Sequence, residues 1–262
     1  MRAGWGGRLL LGDGAVAYFG AGSTAARHSH DAIQVVWSFD APVVVHTGTD
    51  EWSARACIVP TAVDHSFSAT GGPLVLLLVE PSGSRGRALQ QFALRSKGIE
   101  LAPVLEALRP SPSQVDTPER TLSWCNQVIS ALIGRELLLA DLVGIRAEVR
   151  SALEYVVAEL DSVPRLKEAA RRTNLSSTRL THLFSSQGGM PFRRFVLWKR
   201  LEHVVAKVQC GHDLTTASAS AGFSDSAHFS RVFRSTFGLA PSAVLPHLEI
   251  VTRAHTTSSR VV

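Results

Sequence analysis

The hydrophobic pattern changes period once along this chain, and the change divides it in two. Between about Gly14 and Pro81 the apolar residues come in short β-branched or aromatic runs, VVWSFD, PVVVHTG, EWSARACIV and PLVLLLVE, separated by Gly, Pro and Asp. That is the pattern of strands and turns. Trp52, Ala54, Ala56 and Ile58 alternate with mostly more polar neighbours and predict one buried face. Leu74 to Val79 is apolar throughout, which predicts a strand covered on both sides. Many short strands at close spacing favour a small barrel or sandwich.

After Pro81–Gly86 (PSGSRG) the period becomes helical. Helices are predicted over Ala88–Leu108 and Glu119–Ile133, the second with Leu122, Cys125, Ile129, Leu132 and Ile133 on one stripe. They either cover the strands or pair with a second subunit. From Val143 onward the pattern stays helical. A stripe of Val149, Ala152, Leu153, Val156, Val157 and Leu160 is followed by a short helix over Arg165–Arg171, a turn at Thr173-Asn174-Leu175, and a helix over Ser177–Ser186. Short helix, tight turn, second helix is the helix-turn-helix pattern. A longer helix over Pro191–Val208 links it to a repeat of the same device: Leu214–Ser220, a turn at Gly222, and Asp225–Ser235.

The run GFSDSAHFSRVFRSTFGLAP, residues 222–241, is the most specific in the chain. Phe229, Val232, Phe233 and Phe237 fall on one helical face, while His228, Ser230, Arg231, Arg234 and Ser235 point the other way. An aromatic underside beneath an outer face of hydrogen-bond donors and arginine suits a helix that enters a nucleic-acid groove.

Charge agrees with that reading. The chain has 262 residues, 45% of them hydrophobic and 19% charged, as expected of a well-cored protein. Residues 146–246 hold 14 Lys/Arg against 8 Asp/Glu, whereas residues 1–145 hold 11 against 13. The basic half is the half with the repeated units, as it would be if only that half met phosphates. Cys57, Cys125 and Cys210 are few and scattered, which argues for a reducing compartment and against a disulfide framework or zinc cluster. The apolar run Leu9–Leu11 is too short for a signal peptide. A cytoplasmic protein is expected.

The helical half resembles the DNA-binding domain of the AraC/XylS family of transcription regulators. The resemblance is carried by LSSTRLTHLF at residues 175–184, Gly189, Phe195, Arg200-Leu201 and the 222–241 run. It implies that each unit places its outer helix in a major groove of double-stranded DNA, the linking helix setting the distance between two adjacent half-sites. Carried over residue by residue, the first outer helix offers Thr178, Thr181 and His182, and the second offers Ser226, His228, Ser230 and Arg231. Arg231 can bond a guanine or phosphate bidentately. The chain departs from the family at Ala217-Ser218, where Ile-Ala is usual, and at Val244-Leu245, where Tyr-Arg is common.

In the first half, Gly22, His28-x-His30, Gln34 and then Pro60-x-Ala62-x-x-His65 are similar to the two cupin motifs. On a strand, His28, His30 and Gln34 would share a face. Two readings stay open. His28, His30, Gln34 and His65 line a pocket that hydrogen-bonds an organic effector, or His28, His30 and His65 bind a divalent metal. In metal-binding cupins a Glu stands where this chain has Gln34, and a neutral amide is the poorer ligand.

The expected architecture is α+β with two domains. A cupin-like sensor barrel spans 1–82, a helical dimerisation or covering segment 83–142, an all-α double helix-turn-helix domain 143–246, and a flexible tail 247–262. The expected function is a sequence-specific transcription regulator, not an enzyme, acting as a homodimer and contacting RNA polymerase. The alternative is a metal-dependent cupin enzyme fused to a DNA-binding domain.

Overall fold

The computed structural model describes residues 4–252 apart from 13, 49, 70, 71, 96–101, 116, 143 and 144. Its strands are β1 (Gly6–Gly12), β2 (Ala15–Ala21), β3 (Thr24–His28), β4 (Ile33–Ser38), β5 (Val43–Thr47), β6 (Asp50–Ala54), β7 (Ala56–Val59), β8 (His65–Ser68), β9 (Pro73–Val79) and β10 (Leu248–Thr252). They form a six-stranded sheet in the order β10-β1-β2-β9-β4-β7 and a four-stranded sheet in the order β3-β8-β5-β6. One core fills the space between the sheets, with Tyr18, Val36 and Leu74 from the larger and Val43, Val45 and Phe67 from the smaller.

The other face of the six-stranded sheet lies under helices α1 (Gly83–Arg95), α2 (Ala102–Ala107) and α3 (Pro118–Leu142). Val35, Trp37, Val75 and Leu77 pack there against Leu89, Leu105, Trp124 and Ile129. Trp37 donates from Nε1 to the Leu105 carbonyl at 2.7 Å and meets Trp124 edge-on with centroids 4.9 Å apart. β9 is therefore covered on both sides, as its unbroken apolar run predicts. The expected alternation from Trp52 to Ile58 does not form one face. The chain changes sheet at Arg55, and all four residues of β7 are buried. The helix expected over 88–108 is α1 and α2, with residues 96–101 outside the described residues.

The helical half follows the sequence closely: α4 (Ala147–Ala158), α5 (Leu166–Arg172), α6 (Ser177–Gln187), α7 (Phe192–Gln209), α8 (Leu214–Ser220), α9 (Ser226–Phe237) and α10 (Pro241–Val244). Side chains of Ser176, Asp213 and Asp225 accept backbone N–H groups at the starts of α6, α8 and α9, satisfying donors that have no partner inside the helix. Asn174 makes the first turn at φ 54°. Gly222 makes the second at φ 76°, in the left-handed region open to glycine.

The two units have separate cores. Phe184, Phe192 and Phe195 centre the first. The second, around Val204, Ala217, Phe229 and Phe233, continues into Leu9 and Leu11 of β1 and Ile250 of β10. Here the structure corrects the expectation of a flexible tail from 247, since Leu248–Thr252 is a strand. β10 runs parallel to β1, from Gly7 opposite Leu248 to Leu11 opposite Thr252. An open β1 edge needs a partner, and Ile250 inserts into the second unit's core. Residues 253–262 lie outside the described residues.

Candidate nucleic-acid interface and effector cavity

The outer helices α6 and α9 expose part of what the sequence nominates. Thr178, His182 and Arg231 are exposed, while Thr181, Ser226, His228 and Ser230 are half-buried. The hydroxyls of Thr181 and Ser230 each donate at 2.8 Å to a carbonyl one turn back, on Ser177 and Ser226, so each offers a base chiefly its lone pairs. His228 Nδ1 sits 3.1 Å from Ser224 Oγ, with its ring edge-on to Phe223 at 5.4 Å. Arg231 makes no hydrogen bond or ion pair among the described residues. Its charge helps hold the Asp225 carboxyl below its usual range, after the larger effect of the His228 backbone N–H.

α9 is docked on the sheets at its C-terminal end. Ala26 N–H donates to the Gly238 carbonyl at 3.0 Å, and Ser29 N–H to Ser235 at 3.4 Å. Gly238 caps the helix at φ 69°; a Cβ there would strike the Ala26 carbonyl and lie 2.8 Å from His28 Nδ1. The linking helix is tied on as well. Lys199 Nζ lies 2.6 Å from Glu80 Oε2 and 3.0 Å from Glu202 Oε2. Burial pushes the Glu80 carboxyl up, against the pull of Lys199. Burial opposes the Lys199 charge too, but the two carboxylates outweigh it and the ammonium is held above its usual range.

Between the halves lies a cavity of about 120 Å³. Val16, Leu76 and Leu78 of the six-stranded sheet form one wall, and Trp198 and Val205 of α7 with Phe233 and Phe237 of α9 form the other. His28, His30 and Gln34, with Tyr18 and Glu202, supply polar groups to a largely apolar lining. His65 lies behind them and does not line the cavity.

The four polar residues come together, though by another route than a shared strand. His28 ends β3 in the smaller sheet, His30 sits in the following turn, and Gln34 lies on β4 in the larger sheet. The chain crosses between sheets there, which brings the three around one point. The His28 and His65 rings are 4.2 Å apart, His30 and His65 5.1 Å, and His28 and His30 5.6 Å. Each Nδ1 meets a backbone carbonyl: His28 on Ala26 at 2.7 Å, His30 on Ala32 at 2.8 Å, His65 on Val63 at 2.9 Å. Burial, before any other influence, pulls His28 down to about 4 and His65 to about 3 and lowers His30, so the rings are neutral.

Residues 169–246 match a family model described as a helix-turn-helix domain, of the AraC type. The chain is 25% identical over 189 residues to the probable transcriptional regulator LumQ of Photobacterium leiognathi, covering 69% of this chain and 74% of LumQ. It is 30% identical over 99 residues to the regulatory protein PocR of Salmonella typhimurium, covering 37% of this chain and 32% of PocR. Among solved structures, an apo variant of ToxT from Vibrio cholerae superposes with a TM-score of 0.56 at 12% identity, over 90% of this chain and 98% of that one. ToxT thus shares the fold across both halves. Residues 169–246 are an AraC-type helix-turn-helix domain.

Arg179 and the cavity lining escape the sequence reading. Arg179 is exposed on α6 beside the nominated readers, as Arg234, which the pattern already turns outward, is on α9. The charge of Arg179 at a solvent-facing helical position is a signal that could have found it. The cavity lining is different. Leu76, Leu78, Trp198 and Phe237 belong to ordinary apolar stripes, and nothing local says that a strand face and two helices look at each other across a gap.

Proposed function

We propose that this regulator senses a small, largely apolar effector in the cavity between its sheets and its second helix-turn-helix unit, and that occupancy alters how α9 meets DNA. The carrying observation is that one cavity has both the sensor sheet and the DNA-binding helices α7 and α9 as walls. A ligand there changes the packing of the two against each other. It biases the regulator only to the extent that it binds one arrangement more tightly than the other. An apolar wall with a few converging polar groups is the usual make-up of a small-molecule site.

The volume bounds the ligand. A dry cavity of roughly 150 Å³ admits benzene, so the space as it stands takes a compact ring or short chain, and a longer ligand has to part the walls. ToxT structures have been solved with an unsaturated fatty acid and with a naphthalenyl butenoic acid. Those ligands are ToxT's, but they support an apolar effector for a shared fold.

In this reading residues 1–82 sense, 83–142 cover the sheet and offer a homodimer surface, and 143–246 bind double-stranded DNA beside RNA polymerase. No helix among the described residues is long and apolar enough to cross a membrane, and a cytoplasmic site of action follows from the DNA target. The enzyme alternative is the weaker reading, because the cavity is closed by the DNA-binding helices themselves.

The test fills the cavity. Leu78→Trp places an indole in it. Displacement of anilinonaphthalene sulfonate by short aliphatic and aromatic acids should be seen with the wild type and lost in the variant. Operator affinity of the variant should stop responding to those acids. Equal probe binding by both proteins would place the effector elsewhere.

A further inference from the structure

We infer that the effector enters the cavity with a hydrogen-bond donor at its polar end and no negative charge, and that Glu202 sets this preference. The inference rests on the cavity reading above and adds the chemical class of the ligand.

Among the described residues that line the cavity there is no Lys or Arg, and the acidic side chain there is Glu202. Lys199 lies on the same helix but is committed. Its Nζ sits 2.6 Å from Glu80 Oε2 and 3.0 Å from Glu202 Oε2, so two carboxyl groups share one ammonium. It has no charge to spare for a ligand carboxylate. Glu202 Oε1 also accepts from Trp198 Nε1 at 2.7 Å, which ties the carboxylate to a wall residue. An anion brought into this largely apolar space would lose its hydration, gain no cation and face a like charge. An ammonium, hydroxyl or amide N–H would meet a charged acceptor instead.

The remaining polar groups favour the same partner. The Tyr18 hydroxyl is already engaged, donating to the Ala21 carbonyl at 2.6 Å and accepting the Gly6 N–H at 3.2 Å. A carbonyl oxygen only accepts, so the ring protons of His28 and His30 sit on the Nδ1 atoms that meet the Ala26 and Ala32 carbonyls. Each Nε2 is then an acceptor. Gln34 Oε1 faces His30 Nε2 at 3.1 Å, acceptor against acceptor, while Gln34 Nε2 is buried without a partner. Turned end for end, the amide gives His30 its donor and puts an oxygen in the unpartnered place. The lining thus presents acceptors, and the ligand supplies the donor. A carboxylic acid meets these conditions only in its protonated form, so a short acid binds more weakly than the alcohol or amine of the same skeleton.

The experiment is isothermal titration calorimetry of the full chain, at one pH and salt concentration, with benzyl alcohol, benzylamine and benzoate. We expect the wild type to bind the alcohol and the amine more than about tenfold tighter than benzoate. Glu202→Gln keeps an acceptor for Trp198 and leaves Lys199 paired with Glu80, so no charge is stranded. It should weaken benzylamine by about tenfold, strengthen benzoate, and leave benzyl alcohol within about threefold. Benzoate bound by the wild type as tightly as benzyl alcohol overturns the inference whether or not the variant folds. The cavity reading would still stand in that case if Leu78→Trp abolished binding of all these ligands. An unchanged ratio of amine to benzoate affinity in Glu202→Gln overturns the part given to Glu202. Failure of every ligand to bind the wild type, or equal binding by Leu78→Trp, overturns the cavity reading and this inference with it.

Discussion

Lys199 Nζ lies 2.6 Å from Glu80 Oε2, and the pair joins the middle of the linking helix to the residue that follows strand β9. Both side chains are nearly withdrawn from solvent, at 13% and 5% exposure. Removing one partner of such a pair strands the other charge, which costs about 3–5 kcal/mol, whereas replacing both with apolar groups can be neutral. Lys199→Ala should lower urea stability by about that amount. Glu80→Leu with Lys199→Met should restore most of it. Effector response should stay reduced in the double variant, because the tie between the halves is gone.

Gly238 is the second tie. Its φ of 69° suits glycine, and a side chain there meets the Ala26 backbone and His28. Gly238→Ala combines backbone strain of about 1–3 kcal/mol with displacement of α9 from β3. Its Tm should drop, and hydrogen exchange at the amides of Ala26 and Ser29 should speed up before the sheet core exchanges.

DNA contacts should separate by type. Arg231 is exposed and has no partner among the described residues, so Arg231→Ala should weaken operator binding by about 1–3 kcal/mol and relax one base position. Thr181→Ala and Ser230→Ala should do much less, since those hydroxyl protons already bond their own helix. Arg179→Ala, if it meets phosphate, should weaken all duplexes alike and lower the salt slope by about one contact. Fluorescence anisotropy on operator and scrambled duplexes at several salt concentrations distinguishes the three.

The thiols give a check on burial. Desolvation pushes Cys57 and Cys125 up to about 12, so neither forms appreciable thiolate at mildly alkaline pH, and the thiolate is the reactive form. Cys210 is exposed. Native protein at pH 8 should release one equivalent of colour with a disulfide reagent, and three after denaturation. A fast second equivalent from the native state would mean that the core under α3, which holds Cys125, or the core between the sheets, which holds Cys57, opens.

The double helix-turn-helix was legible because its signals are local. Asn174 and Gly222 mark turns, and aromatic spacing over Phe229–Phe237 marks a buried face. The two-sided burial of β9 was legible for the same reason, whereas β1, β2, β3 and β8 lie outside the four runs that the pattern marks as strands. What stayed hidden is long-range. Nothing in EWSARACIV tells that Arg55 is where the chain changes sheets. Nothing near His28 and Gln34 tells that they meet from opposite sheets rather than along one strand. Pairing of residues 248–252 with 7–11 spans almost the entire chain, and LEIVT beside a polar terminus carries too few residues to announce a strand.

That last strand leads to a prediction about coupling. β10 hydrogen-bonds to β1 of the six-stranded sheet, while Ile250, at 9% exposure, inserts into the core of the second helix-turn-helix unit. One short segment therefore reports to both halves. Ile250→Ala removes buried methyl groups at about 2–5 kcal/mol and should loosen the second unit more than the first, whose core around Phe184 is separate. Truncation after His247 should go further and leave the β1 edge without its partner, a template for pairing with other chains. The expected outcome is concentration-dependent association in light scattering, with hydrogen exchange raised across β1, α8 and α9 but unchanged in α5 and α6. Uniform exchange throughout the chain would show instead that the two units unfold together and that β10 does not divide them.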